Sequence, residues 1–332
     1  MSLSILDASY ELSKFVSNLY TNISKNENNE SSLVDRISLQ HDRRFCVKYS
    51  EGCATWTDKN ECNGDEDDII RLAQKTLFVV KTCKKYHHDR LPVIFKTWAK
   101  STLNIRYFSD VAQKKYNTRT LPGIYQSTEI GLCQKTEEII KYFHKNANLE
   151  GWKWLVIVDD DTILGVHKLL TLLKCYDPKE PLMIGHRYGY LETTGAYSYD
   201  YLGGGAGKVL SVGIVEEIWN NYTHKQRCRC PRPEEHEDMY WTGVCPLSLG
   251  KNNVLLHDNR FHQNSPSDYP PELLEQRDPI SFHKFWNVDF EYGTMNWNNP
   301  IETYNTYFKD SDRFLREYKE EALKTRVHQH EL

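Results

Sequence analysis

The chain is 332 residues long, 39% hydrophobic and 27% charged, with 42 basic against 46 acidic residues and a formal net charge of −4. That composition describes a globular chain with enough apolar surface for a core, and it excludes a disordered polyelectrolyte or a nucleic-acid binder that works by bulk charge. No apolar run approaches the ~18–20 residues of a membrane span, and no signal peptide is visible in Met1–Tyr20.

Along the chain, residues 1–75 read as a polar, cysteine-bearing lead-in and connector, framed by the runs Ser24–Ser32 and Asp65–Asp68. The character then changes. Leu77–Val80 is a short β-branched run and predicts a buried strand; His88–Ala99 predicts a helix, and Leu103–Phe108 a second strand. Glu129–His144 predicts a long helix. Trp154–Val158 is the most strand-like run, and it stops at Asp159-Asp160-Asp161. A helix over Gly165–Lys174 and a strand over Leu182–Gly185 follow. Strands alternating with helices imply an α/β domain with a sheet largely parallel at its centre.

The nine cysteines narrow the compartment. Cys46, Cys53 and Cys62 cluster, while Cys83, Cys133, Cys175, Cys228, Cys230 and Cys245 are scattered, and none has the paired spacing of a zinc site. Dispersed cysteines fit disulfides in an oxidising compartment, the odd number leaving one thiol free or paired outside the chain. Asn22, Asn29 and Asn221 open N-glycan acceptor triplets. Gln329-His330-Glu331-Leu332 is similar to an endoplasmic reticulum retrieval end, with an accidental polar tail as the alternative.

Four constellations carry chemistry. Three consecutive carboxylates at a strand's carboxyl end lie where open α/β sheets bind ligands, and they repel one another unless a cation offsets them. A hard divalent ion, Mg2+ or Mn2+, does that and can bridge a diphosphate; a solvated acidic turn is the alternative. Gly203–Gly207, opening into the apolar run Val209–Ile218, reads as glycines before a helix, a place where backbone can approach a ligand. Glu237-Asp238 begins another apolar stretch, and its carboxylates either complement a helix dipole or offer a general base. Last come His257, His262 and His283, one of which could complete the coordination of a metal held by the aspartates; a structural histidine is the alternative for each.

These elements, in this order, resemble the fringe-like β-1,3-glycosyltransferases, an α/β family with the GT-A fold, a Rossmann-like mixed sheet flanked by helices. The resemblance runs from about Thr76 to about Asp289. It is strongest toward the β-1,3-glucosyltransferase group that extends O-linked fucose on thrombospondin type 1 repeats. Val80-Lys-Thr-Cys-Lys-Lys-Tyr-His87, Trp154-Leu-Val-Ile-Val-Asp-Asp-Asp-Thr162, Arg187-Tyr-Gly-Tyr190, Cys228-Arg-Cys230, Phe261-His-Gln263 and Ser281-Phe-His-Lys284 carry it. The resemblance implies inverting transfer of glucose from UDP-glucose, with Mn2+ or Mg2+, to an O-fucosylated protein in the endoplasmic reticulum lumen. It implies Asp161 and His262 as metal ligands, Asp159 and Asp160 as nucleotide-sugar contacts, and Asp238, the base, and Glu237 as catalytic residues. Thr82, Arg90, Asp110, Lys135, Gly204 and Gly205 are implied on the nucleotide-sugar side.

The sequence departs from the family pattern in four places. The family's Pro-Asp-Asp-Met reads His236-Glu-Asp-Met, Ala206 interrupts the glycine run, Lys208 takes a place that is usually apolar, and His186 stands where close relatives have an acid. A signal sequence and a degenerate first domain, usual in such relatives, are not recognised ahead of the connector, so the front end is expected to be incomplete, with a lineage lacking the first domain as the alternative. The expected organisation is the lead-in over 1–75, the catalytic domain over 76–290 and a tail over 291–332. A fringe-like N-acetylglucosaminyltransferase, a core 1 galactosyltransferase, and a non-catalytic lumenal binding or quality-control protein are the competing readings.

Overall fold

The computed structural model describes residues 65–122, 131–191, 198–225, 228–230, 236–249, 254–285 and 299–330. Most of the lead-in, with Cys46, Cys53, Cys62, Asn22 and Asn29, lies outside the described residues, as does the Glu331-Leu332 end. Helix α1 (Glu66–Gln74) is capped by Asp65, whose side chain accepts from the Asp68 N–H, and leads into β1 (Thr76–Lys81). Then come α2 (Leu91–Lys96), β2 (Ile105–Phe108), β3 (Thr118–Arg119), α3 (Leu132–Glu150), β4 (Trp154–Asp159), β5 (Ile163–Leu164) and α4 (Val166–Leu173). They are followed by β6 (Met183–Gly185), β7 (Arg187–Leu191), β8 (Ser198–Leu202), β9 (Lys208–Ser211) and α5 (Val212–Lys225). The chain closes with α6 (Glu237–Met239), a π-helical turn over Tyr240–Val244, α7 (Cys245–Ser248), β10 (Leu255–His257), β11 (Phe261–His262), α8 (Pro271–Arg277), β12 (Ser281–Phe282), α9 (Pro300–Tyr307) and α10 (Arg313–His330).

Seven strands form the main sheet in the order β10-β6-β9-β4-β1-β2-β3. It is mixed: β1 runs parallel to β2 and β4, and β9 runs antiparallel between β4 and β6. Both faces of β1 and β4 are covered, as expected of parallel strands at the centre of an α/β sheet. Phe78, Val80, Trp154, Val156 and Val158 join one core with α1, α2 and α4. Their alternates Leu77, Val79, Leu155 and Ile157 join a second core with α3 and α5. The α/β class read from the sequence is the architecture observed.

Three elements differ from the expectation, each for a local reason. Pro92 has no N–H to give a helix interior, so α2 begins only at Leu91, with the proline in its first turn. The glycine run leads into a strand, not a helix. Val209 and Leu210 alternate between the two cores, and α5 starts one residue later, where the Ser211 hydroxyl accepts from the Ile214 N–H at 3.1 Å. The segment expected as a tail also packs inward. Tyr304, Phe308 and Leu315 belong to the first core, and buried Asp312 accepts from the His167 N–H at 2.8 Å and the Tyr304 hydroxyl at 3.1 Å. Residues 304–315 thus share the core of β1 and β4.

Candidate active site

The parallel pairing of Lys81 with Asp159 sets the ends of β1 and β4 side by side. Lys81 reaches Asp159 Oδ1 at 3.2 Å. Beyond the strand ends, the Thr82 hydroxyl donates to Asp160 Oδ2 at 2.7 Å. Arg90 spans the next two carboxylates, 2.6 Å from Asp160 Oδ1 and 3.1 Å from Asp161 Oδ2, with its guanidinium over the Tyr86 ring. Burial pushes the Asp160 carboxyl up to about 6 against the pull of Arg90 and Thr82. Burial also disfavours charge on Asp161, but His283 and Arg90 outweigh it and hold that carboxyl below its ordinary value.

A second, three-stranded sheet decides which histidine meets these aspartates. In it β12 lies between β11, to which it is parallel, and β5, to which it is antiparallel. Phe282 pairs with Ile163, so the residue after Phe282 arrives beside the residues before Ile163. That residue is His283. Its Nε2 is 3.0 Å from Asp161 Oδ1, and Asp159, Asp161 and His283 each offer a ligand atom within 4.8 Å of the others. Two carboxylates and one imidazole are a donor set suited to a divalent ion.

His262, the histidine expected to complete that set, sits elsewhere. It pairs with Phe282 and shares its core-facing side, one residue out of phase with His283. Its ring stacks on Phe282 at 5.0 Å and tilts against Tyr269 at 4.4 Å, and its Nε2 finds no hydrogen-bond partner among the described residues. Burial, with His186 nearby, drops it to about 4, so it is a neutral core ring. The histidine that lies with Asp159 and Asp161 is thus His283, and His262 lies apart from them.

The glycine loop lies against both halves of the site. Gln263 holds it open, accepting from the Ala206 N–H at 3.1 Å and donating to the Gly203 carbonyl at 3.0 Å. A Cβ on Gly205 would collide with the His283 ring, and one on Gly204 with the Asp238 carboxylate. The close approach seen is to the protein's own side chains, His283 and Asp238, and needs residues without a Cβ at both positions. The Gly204 N–H donates to Asp238 Oδ2 at 2.8 Å, and Lys208 reaches Asp238 Oδ1 at 3.0 Å. With its side chain 34% exposed, Asp238 still opens to solvent, and burial lifts its carboxyl to about 6.

Glu237 has the opposite character. It is buried, takes Lys81 at 2.8 Å on Oε2, and takes Lys208 and the Thr136 hydroxyl on Oε1. Burial works against its charge, but Lys208 and Lys81 hold it well below the usual carboxylate range. It is a structural anion and does not share Asp238's exposure. Of the residues expected to contact the nucleotide-sugar, Lys135 is buried and donates to the Thr82 carbonyl at 2.8 Å, while Asp110 accepts from the Lys84 N–H at 2.8 Å. Lys81 and Gln263 were not singled out from sequence. Lys81 ends the apolar run Leu77–Val80, a charge in that place being the signal that would have marked it.

Between described residues, Cys133–Cys230 ties the start of α3 to the segment before α6, and Cys228–Cys245 ties that segment to α7. Among the described residues Cys83 is the free thiol, and no helix is long and apolar enough to cross a membrane.

A family model described as Fringe-like matches residues 72–314. A Homo sapiens protein described as beta-1,3-glucosyltransferase is 40% identical over 242 residues, covering 73% of this chain and 44% of that protein. Its Mus musculus counterpart is 39% identical over 234 residues, covering 70% and 45%. The chain thus spans less than half the length of these relatives. Among solved structures, a glycosyltransferase involved in glycosylation of the major capsid of PBCV-1 overlaps with a TM-score of 0.35 at 13% identity, covering 69% of this chain and 99% of that one.

Proposed function

The chain belongs to the Fringe-like family, and we propose that it transfers glucose from UDP-glucose to the 3-hydroxyl of O-linked fucose on thrombospondin type 1 repeats, with inversion at the sugar C1. The observation that carries this reading is one glycine loop with a candidate metal-ligand set on one side and a partly exposed carboxylate, Asp238, on the other. The names of the human and mouse relatives support the glucosyl donor and the β-1,3 linkage. The sequence motifs support the fucose acceptor.

Asp159, Asp161 and His283 would hold Mn2+ or Mg2+, which when bound supplies Lewis acidity to the diphosphate leaving group. Arg90 fixes Asp160 and Asp161 in place, and Thr82, Asp110 and Lys135 build the nucleotide side. Asp238 accepts the proton of the acceptor hydroxyl as its oxygen bonds to C1. The bond from C1 to the phosphate oxygen breaks, and its electron pair leaves with UDP. A single displacement requires no enzyme nucleophile. The disulfides support an oxidising, lumenal setting.

A donor-by-acceptor assay tests this reading, with UDP-glucose, UDP-GlcNAc and UDP-galactose offered to a fucosylated and an unmodified repeat. Glucose on the fucosylated repeat alone is expected. Preference for GlcNAc or galactose would move the chain to the fringe or core 1 activities. No transfer, together with metal-independent UDP binding, would favour a non-catalytic lumenal binding protein.

A further inference from the structure

Lys208 is 1% exposed at the first position of β9. A buried ammonium is costly to desolvate and persists where carboxylates surround it. Here there are two, and Lys208 Nζ touches Glu237 Oε1 and lies 3.0 Å from Asp238 Oδ1. Glu237, its side chain only 5% exposed, is turned to Lys81, Lys208 and Thr136 and away from solvent. Asp238, by contrast, has one oxygen on Lys208 and the other on the Gly204 N–H, yet its side chain is 34% exposed. We propose that Lys208 is a positioning residue that holds Asp238 in place as an anion facing the acceptor, with Glu237 as the counter-charge that anchors Lys208. This rests on the reading of Asp238 as the base.

The groups facing Asp238 give the proposal a sign. Burial, first, and the neighbouring Glu237 raise its carboxyl, while Lys208 from β9 and Lys81 from β1 oppose them. The Tyr188 and Tyr201 hydroxyls, from β7 and β8, also feel Asp238; burial raises both, Tyr188 to about 12, so they stay neutral across the working range. Removing the Lys208 cation makes Asp238 take up its proton at higher pH. Removing the Glu237 anion does the reverse.

The test is the pH dependence of transfer in Lys208→Met, Glu237→Gln and the double variant. The acid limb should move up by about one pH unit in Lys208→Met, move down in Glu237→Gln, and return toward wild type in the double variant. A packing role would lower the rate at every pH and leave the limb where it was. An unmoved limb in Lys208→Met, or shifts of the same sign in both single variants, overturns the proposal. Should Lys208→Met fail to fold, the Glu237→Gln shift and its reversal in the double variant, whose Met–Gln pair carries no buried charge, decide the matter. Carbodiimide labelling of Asp238 against pH, read by peptide mass spectrometry, reports the same shifts without turnover. Labelling shifts of the expected signs in a wild-type protein that transfers no sugar would sink the functional reading and leave the Lys208–Asp238 linkage standing.

Discussion

At the ends of β1 and β4, Asp159, Asp160 and Asp161 face a single guanidinium, Arg90, and share Lys81 with the other half of the site. Across the glycine loop, Glu237 and Asp238 face two ammonium groups, Lys81 and Lys208. The first region keeps a surplus of negative charge next to an imidazole; the second neutralises itself with its own side chains. Uncompensated like charges in a partly buried place call for an external cation. A self-balanced pair has no such need and can handle a proton. The proposed division of labour between donor and acceptor sides rests on that difference in charge.

The largest effects should come from breaking each region separately. Asp161→Asn should reduce transfer about a thousandfold, several kcal/mol of leaving-group stabilisation, and flatten the response to added manganese, as read by initial rates across a metal titration. Asp238→Asn should cost roughly a hundredfold to a thousandfold in kcat while the metal response stays as in wild type, because a general base is removed and the donor side is untouched. Near-normal turnover in Asp238→Asn would cancel the base assignment.

Subtler changes to the loop sharpen the comparison. Gly205→Ala pushes into the His283 ring and should weaken metal affinity; Gly204→Ala pushes into Asp238 and should lower kcat. Each loss is expected near tenfold, the scale of a misplacement worth ~1.4 kcal/mol. Parallel metal and rate titrations of the two variants would separate them, and identical profiles would show that the loop serves only one side.

The smallest expected effect on activity lies at His262. His262→Phe keeps the ring shape, removes a buried unpaired nitrogen and should leave metal dependence intact. Its signature is in stability. The folded value of about 4 lies below the ordinary 6.5, so neutral His262 contributes fully above about pH 6.5, and up to about 3 kcal/mol is lost as pH falls toward 4. Denaturant unfolding should show a shallower acid decline in His262→Phe than in wild type.

What could be read from sequence was what is local. β1 and β4 declared themselves through unbroken apolar runs, and the three aspartates through their place at a strand end. The run Val209–Ile218 hid a strand and a helix behind one apolar pattern, with only Ser211 between them to mark the change. His262 and His283 look alike in their motifs. Which one meets Asp161 depends on a pairing register that puts neighbouring residues on opposite sides of a strand. The Lys81–Glu237 contact joins residues 156 positions apart, beyond the reach of any spacing rule.

The central claim is that Asp159, Asp161 and His283 hold the metal for the donor while Asp238 acts apart from it. Calorimetric titration of UDP with and without manganese, on wild type, His283→Ala and Asp238→Asn, tests it most directly. The account predicts that manganese tightens UDP binding equally in wild type and Asp238→Asn and fails to do so in His283→Ala. Retained manganese dependence in His283→Ala, or its loss in Asp238→Asn, would contradict it.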